Sequence, residues 1–163
     1  MRKLTFSDCE SHVDKICKSI VKSHWTPDYI VGLSRGGLVP GVMISHWLNV
    51  PFKPLEVSLR DGGYRKSSKF LSKEAQYGKN ILIVDDINDS GKTFNWIMND
   101  WETTISQGGY SLEDAWNNNV RFAVLVNKIE SGCDVSIDYF GADNSNDPSP
   151  KQWYVFPWEL YFL

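Results

Sequence analysis

Ile81-Leu82-Ile83-Val84-Asp85-Asp86-Ile87-Asn88-Asp89-Ser90-Gly91-Lys92-Thr93 is the stretch on which the reading of this chain turns. Its first four residues are apolar and mostly β-branched, the pattern of a buried strand. The strand runs into two adjacent carboxylates, Asp85 and Asp86. A third acid, Asp89, and a small polar turn containing Gly91 follow. Phe94-Asn95-Trp96-Ile97-Met98 then reads as the start of a helix. Acids and a tight loop at the carboxyl end of a strand mark the place where open α/β sheets bind ligands. Loop amides and a helix N-terminus suit a phosphate, and an acid pair suits sugar hydroxyls or a metal.

Two other loop chemistries do not fit. Gly91-Lys92-Thr93 ends like a Walker A loop, but the glycine that motif needs earlier falls on Asp86. Asp86, Asn88, Ser90 and Gly91 have calcium-loop spacing, but the closing glutamate falls on Ile97. Asn88-Asp89-Ser90 is a glycosylation sequon, which matters only in a secreted chain, and nothing suggests secretion.

The composition narrows the classes. A chain of 163 residues is long enough for one good core, so residues 1–163 are expected to form a single domain. The net charge of −3 offers no basic field for nucleic acid. Three cysteines, Cys9, Cys17 and Cys133, without a Cys-x-x-Cys pair, argue for reduced thiols and a cytoplasmic setting. No run is apolar enough to span a bilayer, and Met1-Arg2-Lys3-Leu4-Thr5 has no signal-peptide core. His12, His24 and His46 lack ligand spacing.

On the N-terminal side, Ser7 and Glu10 fit a capping box, and Val13, Ile16, Cys17, Ile20 and Val21 keep helical spacing. Tyr29 to Leu33 reads as a strand, Ser34-Arg35-Gly36-Gly37 as a loop, Leu38 to Leu48 as a helix and Phe52 to Leu59 as a strand. Two glycines after a strand let backbone approach a ligand closely, and Arg35 adds a cation. Arg60 to Gln76 is rich in Arg, Lys, Ser and Gly and reads as a mobile loop. Gln107 to Asn119 reads as an irregular linker, Val120 to Asn127 and Val135 to Phe140 as strands, and Gly141 to Lys151 as a surface loop. Trp153 to Leu163 is an aromatic tail. Strands alternating with helices imply an α/β fold with a mainly parallel sheet flanked by helices.

The stretch at Asp85 to Thr93 resembles the phosphoribosyl-pyrophosphate (PRPP) motif of the type I phosphoribosyltransferases. Ser34-Arg35-Gly36-Gly37 resembles that family's pyrophosphate loop, and Gln152-Trp153-Tyr154-Val155-Phe156-Pro157-Trp158-Glu159 the base pocket of its bacterial xanthine-guanine and hypoxanthine branch. The resemblance runs from about Tyr29 to Trp158. It departs at Asn88, where the family has an apolar residue, and at Glu159, where the family has Asp.

The resemblance implies the type I phosphoribosyltransferase fold, with a core over about residues 1–140, a mobile loop over about 60–76 and a small C-terminal hood over about 141–163. It implies transfer of the phosphoribosyl group from PRPP to guanine, xanthine or hypoxanthine, yielding a nucleoside monophosphate and pyrophosphate in purine salvage. Ser34, Arg35, Gly36 and Gly37 would hold pyrophosphate, and Asp85 and Asp86 the ribose hydroxyls. Asp89, Ser90, Gly91, Lys92 and Thr93 would wrap the 5′-phosphate. Asp89 is also the candidate general base, and Arg35 the fixed cation of catalysis. Arg65 and Lys66 of the loop would meet the pyrophosphate. Lys128 would donate to the purine O6, Trp153 would stack, Tyr154 would offer backbone contacts and Glu159 would lie near the group at C2. Mg²⁺ would be held mainly by PRPP oxygens, with Asp86 the protein ligand. No membrane or nucleic acid is implied as a partner, and a homodimer or homotetramer is. Two alternatives stay open: a PRPP- or nucleotide-binding regulator, and an enzyme for another base.

Overall fold

The structure, a computed structural model, describes residues 1–57, 69–107, 119–145 and 152–162. Five parallel strands form its central sheet in the order β3-β2-β4-β5-β6: β2 Tyr29–Leu33, β3 Phe52–Leu55, β4 Ile81–Asn88, β5 Val120–Asn127 and β6 Tyr139–Asp143. Alternation along the strands feeds two cores. Val31, Leu33, Ile81 and Ile83 face one, with α3 Lys69–Gln76 and α4 Lys92–Gln107 supplying Leu71, Ala75, Phe94, Ile97 and Trp101. Ile30, Leu82 and Val84 face the other, covered by α1 Phe6–Lys22 and α2 Leu38–Leu48. Helices therefore cover both faces, as strands that are apolar on both sides require.

Helix α1 begins two residues earlier than expected. Its capping box is Thr5 with Asp8, not Ser7 with Glu10: the Asp8 amide donates to Thr5 Oγ1 at 3.1 Å, and the Thr5 amide donates to Asp8 Oδ2 at 2.7 Å. Thr5 is the last extended residue and Phe6 already starts the helix, so Ser7 lies inside it. The Thr5 hydroxyl, which donates to Asp8 Oδ2 at 2.7 Å, and then the Thr5 amide hold the Asp8 carboxyl below its ordinary value. Cys9, Val13, Ile16, Cys17 and Ile20 form the buried face, and Val21 points outward.

Other boundaries also move. Strand β4 does not stop at Val84: it pairs with β5 as far as Asn88 with Asn127, so both adjacent acids lie within the strand. Strand β6 starts at Tyr139 rather than Val135, because pairing to β5 begins at Ala123 with Tyr139. Val135 and Ile137 still pack into the first core from an irregular segment. The sheet core thus reaches Asp143, and Gly141 belongs to it rather than to a loop. A Cβ on Gly141 would sit 2.3 Å from the His12 side chain, so α1 can approach β6 only over a glycine.

The loop expected over 60–76 ends in α3. Leu71, Ser72 and Ala75 share its buried face, enough to dock a short helix on α4 despite the polar composition. Residues 60–68, with Arg65 and Lys66, lie outside the described residues, as do 108–118 of the expected linker.

The C-terminal tail is tied to the N-terminus. Strand β1 Arg2–Lys3 pairs in parallel with β7 Tyr154–Val155, and the Arg2 amide donates to the Trp153 carbonyl at 2.7 Å. A 3₁₀ helix, Pro157–Phe162, follows. The C-terminal tail therefore pairs with the first residues of the chain, a pairing too short to leave a periodic signal in the sequence.

Candidate active site

The chain leaves β2 toward β3 on one side of the sheet and leaves β4 toward β5 on the other. The carboxyl ends of β2 and β4 thus flank a topological switch point, the usual ligand crevice of open α/β sheets. Pairing between β2 and β4 ends at Gly32 with Val84, so β2 does not pair along the last residues of that edge of β4. The turn Ser34–Gly37 lies along that edge. A Cβ on Gly36 would fall 2.3 Å from Asp86 Oδ2, and one on Gly37 would fall 2.1 Å from the Val84 carbonyl oxygen. Both glycines are needed for close approach. Ser34 is fixed by its amide, which donates to the Leu55 carbonyl at 2.8 Å, and the Ser34–Arg35 peptide is cis. Arg35 is exposed at the tip of the turn, and Gly37 caps α2.

Asp86 is buried against this turn, and its amide donates to Asp85 Oδ1 at 2.9 Å. Beyond β4, Gly91 takes φ +76, and a Cβ there would meet the Cys133 amide nitrogen at 2.4 Å. The loop Asp89–Thr93 therefore packs on the turn that follows β5 and delivers its amides to the start of α4, with Ser90 and Lys92 exposed.

Lys128 follows the last residue of β5 and pairs with Asp89. The lysine side chain is only 8% exposed and the aspartate 39%. This pair, Asp86, Ile87, Gln152, Trp153, Tyr154, Phe156 and Glu159 line one open cleft of about 280 Å³, its open mouth included. Trp153 is half exposed at its rim, while Phe156 stacks on Trp158 at 5.1 Å behind it. The two inner aromatics complete the core, and Trp153 lies at the rim of the cleft. Glu159 Oε2 accepts from the Phe156 amide at 2.8 Å, which fixes the turn into the 3₁₀ helix.

The cleft thus joins Asp86, Asp89, Lys128, Trp153, Tyr154 and Glu159, with the Ser34–Gly37 turn against Asp86. Sequence reasoning passed over Ile87, Gln152 and Phe156 as lining residues, since apolar and amide side chains carry no motif of their own. Cys9 lies under the sheet. Burial first, then the carboxylates of Asp8, Asp86 and Glu10, pushes its thiol up to about 11, which suits packing and not nucleophilic chemistry.

No cluster of three His, Cys, Asp or Glu side chains able to cage a metal occurs among the described residues. Asp85 and Asp86 at a strand end fit a different arrangement, in which one or two carboxylates share Mg²⁺ with substrate phosphates.

Residues 6–162 match the family model described as phosphoribosyl transferase domain. The chain is 24% identical over 181 residues to xanthine phosphoribosyltransferase 1 of Saccharomyces cerevisiae, covering 91% of this chain and 87% of that protein. It is 28% identical to the xanthine-guanine phosphoribosyltransferase of Idiomarina loihiensis over 81% of this chain and 71% of that one. The crystal structure of a purine phosphoribosyltransferase from Pyrococcus horikoshii superposes with a TM-score of 0.66 at 25% identity, covering 96% and 92% of the two chains.

Proposed function

The chain belongs to the phosphoribosyl transferase domain family, and from that premise we propose that it is a purine phosphoribosyltransferase. It transfers the 5-phosphoribosyl group of PRPP to guanine, xanthine or hypoxanthine and releases the nucleoside 5′-monophosphate and pyrophosphate. The observation that carries the choice of base is the Lys128–Asp89 pair in a cleft rimmed by Trp153. A 6-oxopurine with its N7 protonated presents an acceptor, O6, beside a donor, N7–H. Lysine offers only donors and an ionised aspartate only acceptors, so the two side chains match that edge in order. Adenine presents two donors there and leaves the Lys128 ammonium without an acceptor. The names of the Saccharomyces and Idiomarina relatives, both xanthine-using enzymes, support the same substrate class.

Each part of the site then has a task. Trp153 stacks on the base, Tyr154 offers its backbone to the purine edge, and Glu159 lies near the group at C2. Asp85 and Asp86 hold the ribose hydroxyls. The amides of Asp89, Ser90, Gly91, Lys92 and Thr93, with the side chains of Ser90, Lys92 and Thr93, take the 5′-phosphate. Ser34, Arg35, Gly36 and Gly37 receive pyrophosphate, with Arg65 and Lys66 joining from outside the described residues. Purine N9 bonds to ribose C1′ as the bond from C1′ to the pyrophosphate oxygen breaks. Positive charge develops on the sugar ring, as in glycoside hydrolysis, and no covalent nucleophile is required. Asp89 accepts the N7 proton. Asp86 would help to hold Mg²⁺, and the ion would supply neutralising charge for the leaving pyrophosphate. The reading includes a homodimer or homotetramer in the cytoplasm.

A screen of purine and pyrimidine bases with PRPP and Mg²⁺, reading nucleotide formation, tests this. Guanine, hypoxanthine or xanthine should exceed adenine by at least about two decades in kcat/KM, the scale of a buried donor left without its acceptor. Lys128→Ala should close most of that gap, and Trp153→Ala should weaken all purines alike. Equal use of adenine by the wild-type protein would refute the role of Lys128. Bound PRPP without turnover of any base would favour a regulator.

A further inference from the structure

Asn88 occupies the one position of the PRPP motif where this chain departs from the family's apolar pattern, and it is 2% exposed. A buried amide is costly unless its bonds serve the structure. Its Nδ2 donates to Asn127 Oδ1 at 2.9 Å and to Ser131 Oγ at 2.7 Å. Asn127 is its cross-strand partner at the end of β5, the residue before Lys128. Ser131 closes the turn that Lys128 opens, since its amide donates to the Lys128 carbonyl at 3.1 Å. The Asn88 carbonyl also accepts from the Lys128 amide, at 3.1 Å. Lys128 is thus held from Asn88 directly and from both flanking sides. No partner for Asn88 Oδ1 occurs among the described residues, so the amide is retained for its donor end.

From these contacts we propose that Asn88 is a positioning residue for Lys128, and that it ties the placement of the base-reading ammonium to the strand that carries the PRPP acids. The proposal rests on the reading of Lys128 as the donor to a 6-oxo group. A leucine at position 88 keeps the branched shape, with two bulkier methyl groups, and discards both side-chain bonds. The turn 128–131 then loses its lateral anchor while Asp85 and Asp86, on the same strand, keep their places.

Steady-state kinetics of the full chain test this in a double-mutant cycle. Asn88→Leu should raise KM for hypoxanthine or guanine about tenfold, the scale of a lost hydrogen bond to a placed group. PRPP KM and the rate with adenine should hold within about twofold. In the Lys128→Ala background the same change should have no further effect on any base. If Asn88→Leu does not fold, Ser131→Ala removes one of the two acceptors and should give a smaller rise with the same selectivity. Equal loss on adenine and 6-oxopurines, or an undiminished effect without Lys128, would overturn the proposal. A readout free of turnover separates it from the functional reading. In protein with ¹³C-methylated lysines, the Lys128 signal, assigned with Lys128→Arg, should move on Asn88→Leu. An unmoved signal refutes the positioning role whatever the protein transfers. A moved signal in a protein that uses no purine supports the positioning and removes only the substrate assignment.

Discussion

Lys128 and Asp89, one residue past the paired Asn127 and Asn88 on adjacent strands, neutralise each other at the floor of the cleft. The register of β4 and β5 sets them side by side. Asp89→Asn removes the charge that balances a nearly buried ammonium. It should lower stability by about 1–2 kcal/mol, less than for a fully buried pair because Asp89 is part exposed. Lys128→Met in the same protein should restore that loss, since no unpaired charge remains. Turnover by Asp89→Asn should fall by about 10²- to 10⁴-fold with PRPP affinity nearly unchanged. Thermal melts and kinetics of the single and double variants check both parts. Additive destabilisation in the double variant would show that the pair does not act as a unit.

Gly36 and Gly37 differ in what a methyl group would strike. At Gly37 it meets the Val84 carbonyl, part of the central strand, and cannot be relieved by a rotamer change. Gly37→Ala should therefore cost about 1–3 kcal/mol of stability, as overpacking does. At Gly36 it meets the Asp86 carboxylate, a side chain rather than the backbone of the central strand. Gly36→Ala should melt closer to wild type but raise the KM for PRPP, because the displaced side chain is the one assigned to ribose and metal. Chemical denaturation and PRPP titration separate the two outcomes, and a reversed order would sink the argument.

The metal assignment yields its own test. Activity should vanish in excess chelator and return with Mg²⁺, and Asp86→Asn should raise the Mg²⁺ concentration needed for half activity. Full turnover in chelator, or an unchanged Mg²⁺ requirement in Asp86→Asn, would remove Asp86 from that role.

The acids, the glycine turn and Lys128 were legible in the sequence because each sits where a strand ends, and a strand end can be read from an apolar run. What joins them could not be read. The Lys128–Asp89 pair, the Asn88–Asn127–Ser131 bonds and the contact of Gly91 with Cys133 all depend on register between β4 and β5, and register leaves no local pattern. Helix α3 was hidden by a polar composition in which Leu71 and Ala75 suffice for docking. The pairing of β1 with β7 joins residues about 150 positions apart through two residues each, too few for any periodicity.

Glu159 carries two tasks that one substitution can separate. Its Oε2 accepts from the Phe156 amide and shapes the turn that presents Trp153 and Tyr154 to the cleft. Its carboxylate charge is assigned to the exocyclic group at C2. Glutamine keeps an oxygen for the Phe156 amide and discards the charge. Glu159→Gln should thus melt near wild type, hold kcat/KM for hypoxanthine, which has no group at C2, and lower it for guanine by roughly tenfold, the difference between a charged and a neutral acceptor. Glu159→Ala discards both functions. It should lower the melting temperature and weaken every purine, because the tail loses the bond that fixes it. Kinetics with the two bases and a melt of each variant decide the matter. An equal loss on guanine and hypoxanthine in Glu159→Gln would leave Glu159 only its role in shaping the tail.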